Sequence, residues 1–249
     1  MDTSHVFSSK AERYAKYRWR YASQSIQTIF EVTRITKESR VADIGAGTGI
    51  LTKDFAGKVR QIVAVEPNAE MRRIARRELE QHPDIQVIAG RAEATALVGH
   101  QIDLITVAQA LHWFEPEAAR KEFLRIVKPG GWLAILRNYG TDHELNEALE
   151  KAYPAENDTV ALMIGQSQPS SFYYGAGKYQ KEDFPFTLHA AWEEFIGALS
   201  TASSAPDEGS PLYGDFERSA RRVFDDFSVD QLIELHGMTE LFLGQIKGG

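Results

Sequence analysis

Short apolar runs alternate with helix-like segments through the first 139 residues, and this alternation limits the fold more than any other feature of the sequence. The runs read SRVADIG, RQIVAVE, DIQVIAG, QIDLITVAQA and WLAILRN, and they are near-continuously apolar, as strands covered on both faces are. Strands that alternate with helices form a parallel sheet with helices on both faces. The sequence therefore predicts an α/β fold with a doubly wound, mostly parallel sheet.

The pattern changes after residue 139. TDHELNEALEKAYPAEN, AAWEEFIGALS, YGDFERSARRVFDDF and VDQLIELHG have helical character, whereas SQPSSFYYGAGKYQKEDFPF has no clear period. MTELFLGQI alternates enough to be a final, antiparallel strand. We expect a single domain with N-terminal lid helices over 1–36, a cofactor-binding core over 37–139, and a helical and loop insertion over 140–211. This insertion would cover the acceptor at the carboxyl ends of the strands, and residues 212–249 would return to the sheet.

Composition excludes several classes of function. The net charge of −7 argues against a nucleic-acid surface. There is no Cys, so thiolate nucleophiles and Cys-ligated metals are excluded, and the seven His residues have no metal-ligand spacing. The N-terminus lacks the apolar core of a signal peptide, and no apolar run approaches the length of a membrane span. We therefore expect a cytoplasmic protein that binds neither a metal nor a membrane, and its oligomeric state is left open.

The first strand runs into a loop with three glycines, DIGAGTGI, for which three ligands compete. A triphosphate loop needs a Lys followed by Ser or Thr after its last glycine, but Ile50 and Leu51 stand there. A dinucleotide loop needs a glycine where this chain has Ile50. The third ligand is S-adenosylmethionine, which has no pyrophosphate and needs only a backbone that passes close beneath it. A plain tight turn is the alternative without a ligand.

The loop resembles the first motif of the class I S-adenosylmethionine-dependent methyltransferases, Asp-x-Gly-x-Gly-x-Gly. Glu66 ends the second strand about 20 residues after Gly45, where an acid meets a ribose in such folds. AGRAEATAL is similar to the family's adenine-side segment, with Arg91 in place of an acid, and A-x-x-L-H-W-F resembles the small-molecule type, including relatives of trans-aconitate methyltransferase. LRIVKPGGWLAI, AERYAKYR and MTELFLGQI also resemble the family. The resemblance implies a Rossmann-like, doubly wound sheet of seven strands, mostly parallel, with the last strand antiparallel. The resemblance implies these cofactor-binding residues: Tyr14, Arg18, Asp43, Gly45, Gly47, Gly49, Glu66, Ala92, Glu93 and Ala108.

The resemblance implies transfer of a methyl group from S-adenosylmethionine to a small-molecule acceptor by direct displacement. His112 follows the fourth strand, where open α/β sheets bind ligands, so it is the candidate base; the alternative is that it lines the pocket. The candidate acceptor-binding residues are Trp19, His112, Trp113 and Tyr139. Three other functions are weaker candidates: a cofactor-binding protein of this fold without transfer activity, an RNA methyltransferase, and a nicotinamide oxidoreductase.

Overall fold

The computed structural model describes residues 10–153, 167–202 and 204–248. Its centre is a seven-stranded sheet with the strand order β3-β2-β1-β4-β5-β7-β6. The strands are β1 (Arg40–Ile44), β2 (Gln61–Val65), β3 (Ile85–Ile88), β4 (Ile102–Ala108), β5 (Val127–Gly140), β6 (Tyr179–Ala190) and β7 (Ile233–Gln245).

The first five strands pair in parallel, and the last two run antiparallel to their neighbours. In β1, Ala42 pairs with Val63 of β2 on one side and with Ile105 of β4 on the other. β7 lies between β5 and β6 and is antiparallel to both. The predicted Rossmann-like sheet, mostly parallel with an antiparallel last strand beside an edge, is confirmed.

The described helices are α1 (Ala11–Tyr17), α2 (Ser23–Thr33), α3 (Ala69–Glu78), α4 (Pro116–Ile126), α5 (His143–Ala152), α6 (Trp192–Leu199) and α7 (Tyr213–Phe227). Two of them begin at a local signal in the sequence. The side chain of Asn68 accepts a hydrogen bond from the Met71 N–H at the start of α3. Glu115 caps α4 in the same way, and Pro116 occupies the first turn, where its missing N–H costs no hydrogen bond.

Both faces of the central strands are buried: successive side chains of each strand point to opposite faces, and a core cluster covers each face. One core cluster joins Ala42 and Ile44 of β1 to Phe123 of α4. The other joins Val41 of β1 to Ile29 of α2. This arrangement explains why the central strands read as unbroken apolar runs.

The structure corrects the sequence-based prediction in two places. Residues 140–211 were expected to be helices and loops, yet 179–190 form β6, a strand of the sheet itself. β6 is an edge strand with most of its residues exposed or half-buried, and it contains Pro185, so it carries no apolar run. VDQLIELHG was expected to be a helix, but it is a turn that leads into β7, with Asp230 and Gln231 in the left-handed conformation.

β6 and β7 continue past the end of β5, because Gly140 pairs with Gly237 while β7 begins at Ile233. Leu235 and Ala190 in this extension pack against Leu145, Phe195 and Phe224, which lie on α5, α6 and α7. These helices therefore stand beyond the carboxyl end of β5. Within the described ranges, none of the helices combines the length and the apolar character that crossing a bilayer requires.

Candidate active site

A cavity of about 420 Å³ opens at the carboxyl ends of β1, β2 and β4, where open α/β sheets bind ligands. Most of its lining surface is apolar, with a few polar groups among it. Eleven of the residues predicted for the site line it: Tyr14, Arg18, Asp43, Gly45, Gly47, Glu66, Ala92, Glu93, Ala108, His112 and Trp113. The fold thus joins segments that lie about 100 residues apart in the sequence.

Two glycines of the loop after β1 form the cavity wall. Gly45 has φ +72°, and a Cβ there would lie 2.7 Å from the Ala110 Cβ, so the loop can approach the segment after β4 only with glycine at this position. Gly47 has φ +58°, and a Cβ on it would enter open space. Gly47 also lines the cavity.

Glu66, at the end of β2, holds this loop in place. Its Oε2 accepts a hydrogen bond from the Gly47 N–H at 2.9 Å, and its Oε1 accepts one from the Asn68 N–H at 2.8 Å. Burial raises the pKa of Glu66, although both N–H groups lower it. Each carboxylate oxygen has further lone pairs, so the side chain can accept additional hydrogen bonds from a ligand in the cavity.

Asp43, at the end of β1, is 1% exposed. Its Oδ2 accepts from the Thr52 hydroxyl at 2.6 Å and its Oδ1 from the Thr106 hydroxyl at 2.9 Å. Burial raises the pKa of Asp43 to about 6, against the effect of the two hydroxyls. Its carboxylate therefore links β1 to β4 and to the turn at residues 52–55.

The segment after β3 forms the far wall. Ala92 is buried there, and Glu93 accepts a hydrogen bond from the Glu115 N–H at 2.8 Å. Arg91, which stands where the resembled family has an acid, lies 3.4 Å from the Glu93 carboxylate. Glu93 thereby ties this wall to the start of α4.

His112 lies in a short 3₁₀ turn after β4, with its ring centroid 4.8 Å from that of Trp113. Burial, and secondly the charge of Arg18, lower the pKa of His112 to about 4. The imidazole is therefore neutral near pH 7, with two nitrogens able to form hydrogen bonds.

The roof of the cavity comes from α1 and from the segment after α6. Arg18 donates to the Thr201 hydroxyl at 3.3 Å, and its guanidinium lies 5.4 Å from the centroid of the Tyr14 ring. Lys10 donates through Nζ to the Ala202 carbonyl at 2.7 Å. Two segments distant in sequence thus enclose the same space.

Three of the predicted site residues lie outside the cavity. A Cβ on Gly49 would lie 2.6 Å from the Leu79 Cδ1, so this glycine serves the packing of the loop against the end of α3. Trp19 packs edge-on against Phe186 of β6, with the ring centroids 5.7 Å apart. Tyr139 is 45% exposed on β5, where it pairs with β7.

The structure also adds lining residues that the sequence analysis missed: Tyr21, Gln109, Asn138, Thr201, Ala202 and Ser204. Gln109 directly follows β4, so its position relative to the strand was a usable signal. Thr201, Ala202 and Ser204 reach the cavity only through the packing of α6 against α1, which no local pattern encodes.

Comparison with known proteins identifies the family. Residues 42–135 match the family described as "Methyltransferase domain". An uncharacterized methyltransferase-like protein of Schizosaccharomyces pombe is 32% identical over 237 residues, which cover 91% of this chain and 90% of that protein. The chain belongs to the class I S-adenosylmethionine-dependent methyltransferases.

Further relatives agree with this membership. An uncharacterized methyltransferase of Mycobacterium tuberculosis is 32% identical over 166 residues, 65% of each chain, so this chain spans just under two thirds of that relative. The demethylmenaquinone methyltransferase of Renibacterium salmoninarum is 29% identical over 163 residues, 63% of each chain. A solved structure from Anaeromyxobacter dehalogenans shares the fold, with a TM-score of 0.65 at 20% identity over 94% of this chain and 100% of that one.

These findings confirm the predicted family, whose cofactor is S-adenosylmethionine. The residues present also fit S-adenosylmethionine. The glycine loop leaves open space where a Cβ on Gly47 would stand, and Glu66 keeps lone pairs beyond its two N–H contacts. Ile50 and Leu51 follow the last glycine of the loop, where a triphosphate loop has Lys and then Ser or Thr.

Proposed function

We propose that this chain transfers the methyl group of S-adenosylmethionine to a small, partly apolar molecule. The observation that carries the proposal is the shared cavity, whose walls combine the glycine loop and Glu66 with the rings of His112 and Trp113. A cavity of about 420 Å³ with a mainly apolar lining suits a small molecule. Demethylmenaquinone, named in one relative, is a small-molecule acceptor of the same general kind.

The proposed roles follow from the placement of each residue. When bound, S-adenosylmethionine supplies an electrophilic methyl carbon on a sulfonium centre. Gly45 and Gly47 let the backbone pass beneath its methionine portion, Glu66 accepts hydrogen bonds from its ribose, and the segment at Ala92 flanks its adenine. His112 and Trp113 hold the acceptor in line and exclude water, a proximity effect.

The engagement of the basic N-terminal residues disfavours a nucleic-acid acceptor. Arg13 pairs with Glu208, Lys16 with Glu193, and Arg20 with Asp54. Nucleic-acid binding depends on cations available to phosphate groups. These cations instead serve contacts within the fold.

Methyl transfer from labelled S-adenosylmethionine to a panel of small molecules, with tRNA and duplex DNA alongside, tests the proposal. We expect labelled product with at least one small molecule and none with either nucleic acid. Transfer to nucleic acid alone would overturn the substrate class. Cofactor binding with no transfer to any acceptor would favour a binding protein without enzyme activity.

A further inference from the structure

Gln109 adopts an uncommon backbone conformation at the edge of the cavity. It directly follows β4 and has φ +55°, in the left-handed region that non-glycine residues seldom occupy. Its N–H donates to the Leu136 carbonyl at 3.0 Å, which fixes this turn against β5. Glycine would take this conformation without strain. Glutamine at this position therefore strains the backbone, which indicates that its side chain is needed there.

The side-chain amide of Gln109 has a defined orientation. Its Nε2 donates to the main-chain carbonyl of Asn138 at 2.7 Å, and a carbonyl can only accept. Asn138 is itself held, because its side chain donates to the Arg20 carbonyl at 3.0 Å and accepts from the Thr239 hydroxyl at 2.6 Å. The Gln109 amide therefore cannot exchange its nitrogen and oxygen without losing a hydrogen bond.

This orientation leaves Oε1 of Gln109 as a hydrogen-bond acceptor. Across the described ranges no protein donor contacts this oxygen, and it is not among the polar atoms sealed inside the core. Gln109 lines the same cavity as His112, Trp113 and Phe114. This corner therefore presents a fixed acceptor beside aromatic surfaces and a neutral imidazole.

Such a corner selects its occupant by chemistry. A neutral hydroxyl or N–H group satisfies Oε1, whereas a carboxylate would place a second acceptor against it. Among the described residues that line this cavity, the cations that would favour a carboxylate are Arg18 and Arg91, and both have partners. Arg18 lies against Thr201 and Tyr14 in the roof, and Arg91 pairs with Glu93.

We propose that Oε1 of Gln109 accepts a hydrogen bond from an uncharged O–H or N–H group on an aromatic methyl acceptor, and so determines acceptor specificity. This assignment rests on the proposed function. It makes Gln109 a specificity-determining residue with no part in holding the cofactor.

Calorimetry on the full chain saturated with S-adenosylhomocysteine tests it, with 2-naphthol and 2-naphthoic acid as matched probes. We expect the naphthol to bind more tightly than the acid. Gln109→Gly and Gln109→Met should weaken naphthol binding about tenfold, the scale of one lost hydrogen bond in a desolvated site. Affinity for S-adenosylhomocysteine should stay unchanged.

Gln231→Gly is the matched control, because Gln231 is an exposed glutamine with φ +63° in the turn before β7. This substitution relieves the same kind of strain at a residue that does not line the cavity, so it should leave naphthol affinity unchanged. The Gln109→Gly variant should melt within about 4 °C of the wild type, because relief of strain offsets the lost contact to Asn138.

Equal naphthol affinity in the wild type and both Gln109 variants would overturn the assignment. So would preference for the acid, binding of neither probe, or loss of affinity that accompanies a collapse of the melting temperature in both variants. Failure of the wild type to bind S-adenosylhomocysteine would overturn the proposed function first, and this assignment with it.

Discussion

The carboxylate of Glu66 accepts a hydrogen bond from the backbone N–H of Gly47 at 2.9 Å, so the acid at the end of β2 fastens the glycine loop that follows β1. The sequence suggested two separate binding elements, an acid and a loop. In the structure they form one unit, because the same side chain also accepts from the Asn68 N–H that begins α3. Removal of Glu66 must therefore disturb the loop as well as any ligand.

We predict that Glu66→Ala lowers affinity for S-adenosylhomocysteine by roughly 1.5–3 kcal/mol, the scale of lost charge-assisted hydrogen bonds. It should also lower thermal stability, because two N–H groups that Glu66 satisfies lose their acceptor. Titration calorimetry and thermal melts measure the two effects on the same sample. An affinity that survives intact would reject the ribose role.

The glycines of the loop offer a contrast between binding and packing. Gly47→Ala should lower cofactor affinity by about 1–2 kcal/mol, because alanine is strained at φ +58° and would shift a loop that lines the cavity. Gly49→Ala should lower the free energy of unfolding by about 1–3 kcal/mol, because its Cβ meets Leu79. Cofactor affinity measured under conditions in which both variants are fully folded separates the effect on binding from the effect on stability. A Gly49 variant that is stable yet unable to bind the cofactor would contradict this division.

Asp43 gives a prediction for the pH dependence of stability. Its pKa rises from 3.8 to about 6 on folding, so the folded state binds more protons than the unfolded state between these values. Its contribution is most favourable below about pH 4 and is lost as the pH rises through about 6. A shift of about two units corresponds to roughly 3 kcal/mol.

Asp43→Asn removes this titration, so stability relative to the wild type should increase from about pH 4 to about pH 7. Urea unfolding at several pH values measures the difference. Thr52→Val is a control that removes one of the two hydroxyl donors to Asp43 without removing the carboxyl group. A stability difference between Asp43→Asn and the wild type that does not vary with pH would show that Asp43 has no raised pKa.

His112 should line the pocket and not act as the base. Its pKa of about 4 leaves it neutral but weakly basic near pH 7, which reduces its value as a proton acceptor. We expect the pH profile of kcat/KM to show no inflection near pH 6.5, where an ordinary histidine titrates. His112→Gln should mainly raise KM for the acceptor and lower kcat less than about tenfold. An inflection near pH 6.5 that is present in the wild type and absent in His112→Gln would show that His112 acts as the base.

The central sheet could be predicted because β1 to β5 are covered on both faces and therefore read as apolar runs. β6 could not, since most of its residues are exposed or half-buried and it contains Pro185, so its sequence carries no apolar run. The N-terminus of α3 was predictable because Asn68 caps it through a local contact.

The candidate site shows the same division. Prediction succeeded for Gly45, Gly47 and Glu66, because they come after apolar strands whose ends can be read from the sequence. Trp19 was misplaced because an aromatic residue in a basic segment gives no indication of direction, and it packs on Phe186 instead. Thr201 was missed because its approach to Arg18 depends on how α6 packs against α1.

The most direct test of the account is calorimetric titration of the full chain with S-adenosylmethionine, S-adenosylhomocysteine and NAD. The geometry of Gly45, Gly47 and Glu66 predicts that both sulfur compounds bind and that NAD does not. Binding of NAD with no binding of either sulfur compound would contradict the account at its centre.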